Sequence, residues 1–323
     1  MKNRCSIRFL WSLELSLALG LPIDCTLGSD CHILAYIDKL PGPAYQDMGG
    51  GRQTYDGHDG TDFGIADESV MQRGVVVKAA AAGTVVRVRD GVADRRVENP
   101  VQAEAVNSAG CGNAVVIEHP DAWRTYYCHL RQGSVAVKAG MQVEKGAALG
   151  LVGSSGLASY PHMHFGVLHR GRKIDPFTGL ALTEPWQPDA KPLWDTPISY
   201  AATGLIRAGF SSQPPDINAV WKGAASVPSL TTAAPSLTFW VHPFGVLMGD
   251  VEKLRLLDPG GQVATETTAE ITSANRINRV SSLMMHNTPA QPLRAGTWAG
   301  HYQLWRQEQL LMDTRHDIEV SKP

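Results

Sequence analysis

Pro161-His162-Met163-His164-Phe165 sets two histidines at i and i+2. On a strand, the period of two turns both imidazoles to one face and Met163 to the other. Upstream, Tyr127-Cys128-His129-Leu130 closes an aromatic run with another histidine. Further upstream, Gly57-His58-Asp59-Gly60-Thr61-Asp62 supplies a histidine and an aspartate four residues apart, bracketed by glycines. Around these motifs lie short β runs broken by glycine, such as Val75-Val76-Val77-Lys78-Ala79, Gly83-Thr84-Val85-Val86-Arg87-Val88 and Ala114-Val115-Val116-Ile117-Glu118. H-x-H alone is weak, and a lone histidine is more often a satisfied or surface residue. In combination, neutral imidazoles and a carboxylate suit Zn²⁺, whose catalytic sites take three protein ligands and keep a fourth position open.

The order H-x-x-x-D, Y-x-H-L, V-x-x-G-x-x-L-G-x-x-G-x-S-G, P-H-x-H-F resembles the lysostaphin-type (LytM-like, M23) zinc peptidases over about residues 55–176. The resemblance implies an all-β catalytic domain with an open groove, acting on stem peptides or cross-links of bacterial peptidoglycan. By position, it implies His58, Asp62 and His164 as Zn²⁺ ligands, and His129 and His162 as the two catalytic histidines that do not bind metal. Zinc lowers the pKa of a bound water toward ~7 and polarises the scissile carbonyl. Imidazole, with an ordinary pKa near 6.5, can take the water's proton or support the oxyanion, and either histidine can fill either role. Two departures stand out. Tyr160 occupies a position where glycine is common, and Gly166 one where an acidic residue often follows.

The 323 residues suggest about two domains. With 29 basic and 31 acidic residues the net charge is −2, and no Lys/Arg block marks a nucleic-acid partner. No run of 18 apolar residues suggests a polytopic membrane protein. Residues 1–20 read as an export signal: Lys2, Arg4 and Arg8 precede the apolar run Phe9 to Leu19, which Glu14 interrupts. A periplasmic or secreted location follows, with no stable membrane insertion after cleavage. Cys5 would leave with the signal. Cys25, Cys31, Cys111 and Cys128 then permit three connectivities, of which Cys25–Cys31 with Cys111–Cys128 is favoured by proximity in sequence. The second pair needs a bend before Cys111, because a hairpin turning at Pro120-Asp121-Ala122 sets Cys128 opposite roughly residue 115.

The expected organisation is a signal over 1–20, a peptidase domain over 21–182, a Pro-rich linker over 183–235, and a small C-terminal β-sandwich over 236–320. Eight of the 20 prolines fall in 185–235, a stretch long enough either to drape over the catalytic domain or to act as a tether. A short helix is expected within 91–110. In the second domain Phe239, Trp240, Trp298, Tyr302 and Trp305 are expected to build a core, or else a face for cell-wall polymer or a regulatory protein partner. Gly153-Ser154-Ser155-Gly156 reads as a loop lining the groove, Asp59 and Asp67 as turn residues, and His119 and His169 as solvent-facing. Two rivals differ in class. A biotinyl- or lipoyl-like carrier would explain Ala79 to Val86 and Val137 to Gly150 but lacks the modifiable lysine signature. A silent M23-like scaffold would bind peptidoglycan or a partner without cutting it.

Overall fold

A computed structural model of the chain describes residues 17–185, 187, 190–272 and 276–323. The remainder of the expected signal, with Lys2, Arg4, Cys5, Arg8 and Glu14, lies outside the described residues. The fold is all-β. The first unit comprises β1 (Cys31–Ala35), β2 (Thr61–Ile65), β3 (Val76–Lys78), β4 (Gly83–Arg89), β5 (Asn113–Glu118), β6 (Trp123–Leu130), β7 (Gln142–Val143), β8 (Ala148–Leu151), β9 (His162–His169) and β10 (Arg172–Ile174). Its main sheet runs β1-β2-β9-β6-β5-β4-β7, with β10 against β9 and a separate β3-β8 pair. Two short helices interrupt the strands: α1 (Glu68–Arg73), capped by the Asp67 side chain, and α2 (Pro100–Val106), the expected insertion.

Alternation along β9 sorts its side chains. Met163, Phe165 and Val167 enter the core with Phe63, Tyr127, Val115 and Ile117, while His162 and His164 face the other way. Fully burying an apolar side chain of this size contributes roughly 1.5–3 kcal/mol. The β5–β6 hairpin turns at Pro120–Ala122, as expected. Its register then slips. Val115 pairs with Tyr127 and Asn113 with Leu130, so β6 carries one residue more than β5 between those pairs, a β-bulge at Cys128-His129.

Leu17 to Gly20, the end of the expected signal, belong to the folded unit. Leu19 is fully buried, and its N–H donates to Leu193 O at 2.7 Å. Removing such a leucine leaves a cavity costing about 2–5 kcal/mol, so a boundary after Gly20 would cut into the core.

The segment 183–235 is likewise largely structured rather than a tether. Trp194 packs its ring against Phe63, Phe165 and Phe177 in the first core. Gly204–Ser211 forms β11, Ile217–Trp221 forms α3, and Ser229–Thr231 forms β12. The second unit continues with β13 (Ser236–Val246), β14 (Val251–Leu257), β15 (Val263–Glu270), β16 (Arg276–Asn278), β17 (Ser281–His286), β18 (Gly296–Arg306) and β19 (Gln309–Ser321). One sheet centres on β13, paired with β11, β16 and β17; the other runs β12-β19-β18-β14-β15. Phe239, Trp298 and Tyr302 lie in the core between them, Trp240 is buried in a small adjoining cluster, and Trp305 is half-buried.

Candidate metal centre

The order β2-β9-β6 carries the site. Asp62 on β2 is the register partner of His164 on β9, and His164 is the partner of Cys128 on β6. The sheet therefore sets a carboxylate and an imidazole side by side on one face. His58 reaches them from the preceding loop. Its Nδ1 donates to Tyr36 O at 2.6 Å, which turns Nε2 toward Asp62 Oδ1 at 3.1 Å and His164 Nδ1 at 3.2 Å. His164 Nδ1 lies 2.9 Å from Asp62 Oδ1. Gly60 is required in this loop: a Cβ there would meet His164 Nε2 at 2.5 Å and Phe165 O at 2.6 Å.

These three atoms belong to buried side chains and form a triangle with edges of 2.9–3.2 Å. Tetrahedral Zn²⁺ with bonds of about 2.0–2.1 Å needs ligand–ligand edges of about 3.3 Å. The donor set of two imidazoles and one carboxylate therefore fits that ion. Among the described residues, the only other group of metal-ligand type is Cys25, Asp30 and Cys31, whose two cysteines are joined in a disulfide.

His129 would face the core with Tyr127 if β6 kept its alternation. The bulge and a φ of 61° at His129 turn the imidazole onto the site face instead, 4.6 Å from His162 between ring centroids. A non-glycine residue in the left-handed region costs about 1–3 kcal/mol and persists only where its surroundings enforce it. Here the His129 N–H donates to Cys111 O at 2.9 Å, and the Cys111–Cys128 disulfide (Cα–Cα 5.0 Å) ties the same two segments. Both disulfides expected from spacing are present. The ring Nδ1 of His129 donates to Ser155 O at 2.8 Å, and that of His162 to Tyr160 O at 2.8 Å. A neutral imidazole that donates through Nδ1 keeps a bare Nε2.

Electrostatics keep these roles apart. Burial, reinforced by His162 and His164, holds His129 well below the ordinary imidazole value, and burial lowers His162 too. His164 is the exception: burial opposes its charge, but Asp59 and Asp62 outweigh it and raise the ring to about 9. Burial would raise the Asp62 carboxyl, yet His58, His162 and His164 hold it well below the carboxylate range.

The structure brings His58, Asp62, His129, His162 and His164 together. It also adds residues that the sequence reading had not placed in the site. The Asp59 carboxylate lies 3.3 Å from His164 Nε2 and pairs with Lys173 Nζ at 2.6 Å, so this expected turn residue backs the ring nitrogen that faces away from the triangle. Tyr160 donates to Asp62 Oδ2 at 3.2 Å. Tyr55 stacks on His58 at 4.4 Å, and Tyr126 lies over Gly166, where a Cβ would meet its ring at 1.8 Å. The tyrosine thus fills the space that an acidic side chain at 166 would need. A groove of about 800 Å³ opens beside His129 and His164, and a second of about 580 Å³ lies between His162 and α3. His119 is not solvent-facing: its ring is buried between Ala82 O and Thr125 Oγ1, whereas His169 is part-exposed and stacks on Trp123.

Fold and site define an all-β domain bearing a cluster of two histidines and one aspartate that could hold a metal ion. Residues 56–176 match the model of peptidase family M23. An uncharacterized metalloprotease of Haemophilus influenzae is 31% identical over 121 residues, covering 38% of this chain and 20% of that protein. Peptidoglycan DD-endopeptidase ShyA of Vibrio cholerae is 32% identical over 118 residues, covering 36% of this chain and 22% of that protein. The matched region is thus about a fifth of the length of these curated relatives. Among solved structures, a zinc containing peptidase from Vibrio cholerae aligns at 26% identity over 48% of this chain and 40% of that one, with a TM-score of 0.29.

Proposed function

We propose that the protein is an exported zinc metalloendopeptidase that hydrolyses peptide bonds in peptidoglycan stem peptides or cross-links. The observation that carries this reading is the triangle of His58 Nε2, Asp62 Oδ1 and His164 Nδ1 beside two neutral imidazoles with bare Nε2 atoms. His58, Asp62 and His164 would hold the metal. When bound, Zn²⁺ supplies Lewis-acid polarisation of the scissile carbonyl and activation of a water molecule. Asp59 orients His164 through Nε2, as carboxylates commonly do behind metal-bound histidines.

One of His129 and His162, both neutral near pH 7, accepts a proton from the attacking water at Nε2 and returns it to the leaving amine, and the other supports the developing oxyanion. Their Nδ1 bonds to Ser155 O and Tyr160 O fix the rings for that transfer. The substrate class draws support from relatives such as the Vibrio cholerae DD-endopeptidase. Export draws support from two disulfides, which persist in oxidising compartments such as the periplasm or the exterior. No helix among the described residues is long and apolar enough to cross a membrane.

The test is turnover of purified cross-linked muropeptides by the zinc-loaded protein, abolished by chelation and restored by zinc. A folded, zinc-loaded protein that binds muropeptides without cleaving them would instead favour the silent scaffold.

A further inference from the structure

Tyr160 is one of the two positions where this chain departs from the family pattern, and the structure gives the departure a use. The residue is 7% exposed and lies between the two units. On one side its ring meets His162 at 4.5 Å; on the other it stacks on Trp221 of α3 at 5.4 Å, with the planes 18° apart. Its hydroxyl donates to Asp62 Oδ2, while Asp62 Oδ1 faces His58 and His164. The two carboxylate oxygens are therefore divided, one toward the ligand triangle and one toward the phenol.

Trp221 is itself held. It is 3% exposed, meets His242 edge-on at 4.5 Å, and clusters with Leu34, Ile206 and Phe244. An ion pair from Arg207 on β11 to Asp67, and a contact of Arg96 with Asn218 on α3, keep the second unit seated against the first.

We propose that Tyr160 is a positioning residue that fixes Asp62 so that Oδ1 alone is presented to the metal, and that Trp221 holds Tyr160 in place. The second unit is then part of the metal centre without contributing a ligand. This rests on the zinc reading above. Partners that orient a metal-bound carboxylate or imidazole typically contribute 10–100-fold in metal affinity.

The experiment is a zinc-affinity titration of the full chain by competition with a chelator, with near-ultraviolet circular dichroism of each variant as a fold control. Tyr160→Phe keeps the ring and its stack and removes only the donor. Its zinc affinity should fall by about 10–100-fold with the fold intact. Trp221→Ala should lower affinity severalfold, and Trp221→Phe should return it toward the native value. His164→Ala, run alongside, should abolish tight binding. Native affinity in Tyr160→Phe, with His164→Ala deficient, would overturn the positioning role and leave the zinc reading standing. Native affinity in Trp221→Ala would overturn the part assigned to the second unit. Native affinity in His164→Ala would overturn the zinc reading and the positioning role with it.

Discussion

At the scale of single residues, the site depends on which ring nitrogen each histidine commits to backbone. His58, His129 and His162 all spend Nδ1 on a carbonyl, of Tyr36, Ser155 and Tyr160, which leaves Nε2 for chemistry. His164 differs, with Nδ1 toward Asp62 and Nε2 toward Asp59. We expect His129→Ala and His162→Ala to keep zinc yet lose about 10²–10⁴-fold in kcat, the usual contribution of a general acid–base group. Near-native kcat in both would remove them from the mechanism. That these five residues would be candidates for one site was legible in the sequence, because their motifs are short and local. The roles of Asp59 and Tyr160 were not, because each acts on a residue about 100 positions away in sequence.

A second residue-scale prediction concerns His242, away from the groove. Burial lowers its pKa to about 4, against an ordinary value near 6.5, with its ring against Trp221 and Asn278. Between pH 6.5 and 4 the unfolded state binds a proton that the folded state refuses, so stability falls as pH falls through that window. The loss should reach about 2 kcal/mol between pH 7 and pH 5. Denaturant titrations of wild type and His242→Phe at both values check it. An equal loss in the variant would assign the pH dependence to other groups.

At the scale of elements, the bulge in β6 is the decisive device. A regular hairpin would leave His129 facing the core and Cys128 far from Cys111. One extra residue in β6 re-aims the imidazole, and Gly112, with a φ of 59°, bends the chain so that Cys111 reaches its partner. Period-two patterning located both strands and the turn between them. It could not reveal the bulge, since an extra residue leaves no trace in the alternation of so short a run. The disulfide closes a loop between residues 17 apart, and such a link contributes about 3 kcal/mol. Replacing Cys111 and Cys128 together by serine should lower the denaturant midpoint accordingly and release His129 from its strained backbone. Activity should then fall more than zinc content, as assayed on folded protein. Unchanged turnover in that double variant would show that the bulge holds without the disulfide.

At the scale of the whole molecule, composition stops short of a choice. The Pro-rich stretch 183–235 reads as a tether or as a covering segment, and the structure shows the latter: Trp194 completes the first core and β11 joins the second unit's sheet. Proline marks extended backbone and cannot tell a tether from a strand laid against a neighbour. A chain truncated after residue 182 would lose Trp194, a large-to-small change costing about 3–5 kcal/mol or more. It should melt well below a chain ending at residue 203, which retains that tryptophan. Equal melting temperatures would deny the segment its structural part. The aromatic pattern of the second unit was more faithful for Phe239, Trp298 and Tyr302, whose inward-facing rings have one stable place to go, than for Trp240 and Trp305.

The proposed metal centre is built from His58, Asp62 and His164. Elemental analysis of purified protein after exhaustive dialysis tests it most directly, comparing wild type with His164→Ala. We predict one Zn²⁺ per wild-type chain and none in the variant; stoichiometric zinc retained by His164→Ala would contradict it.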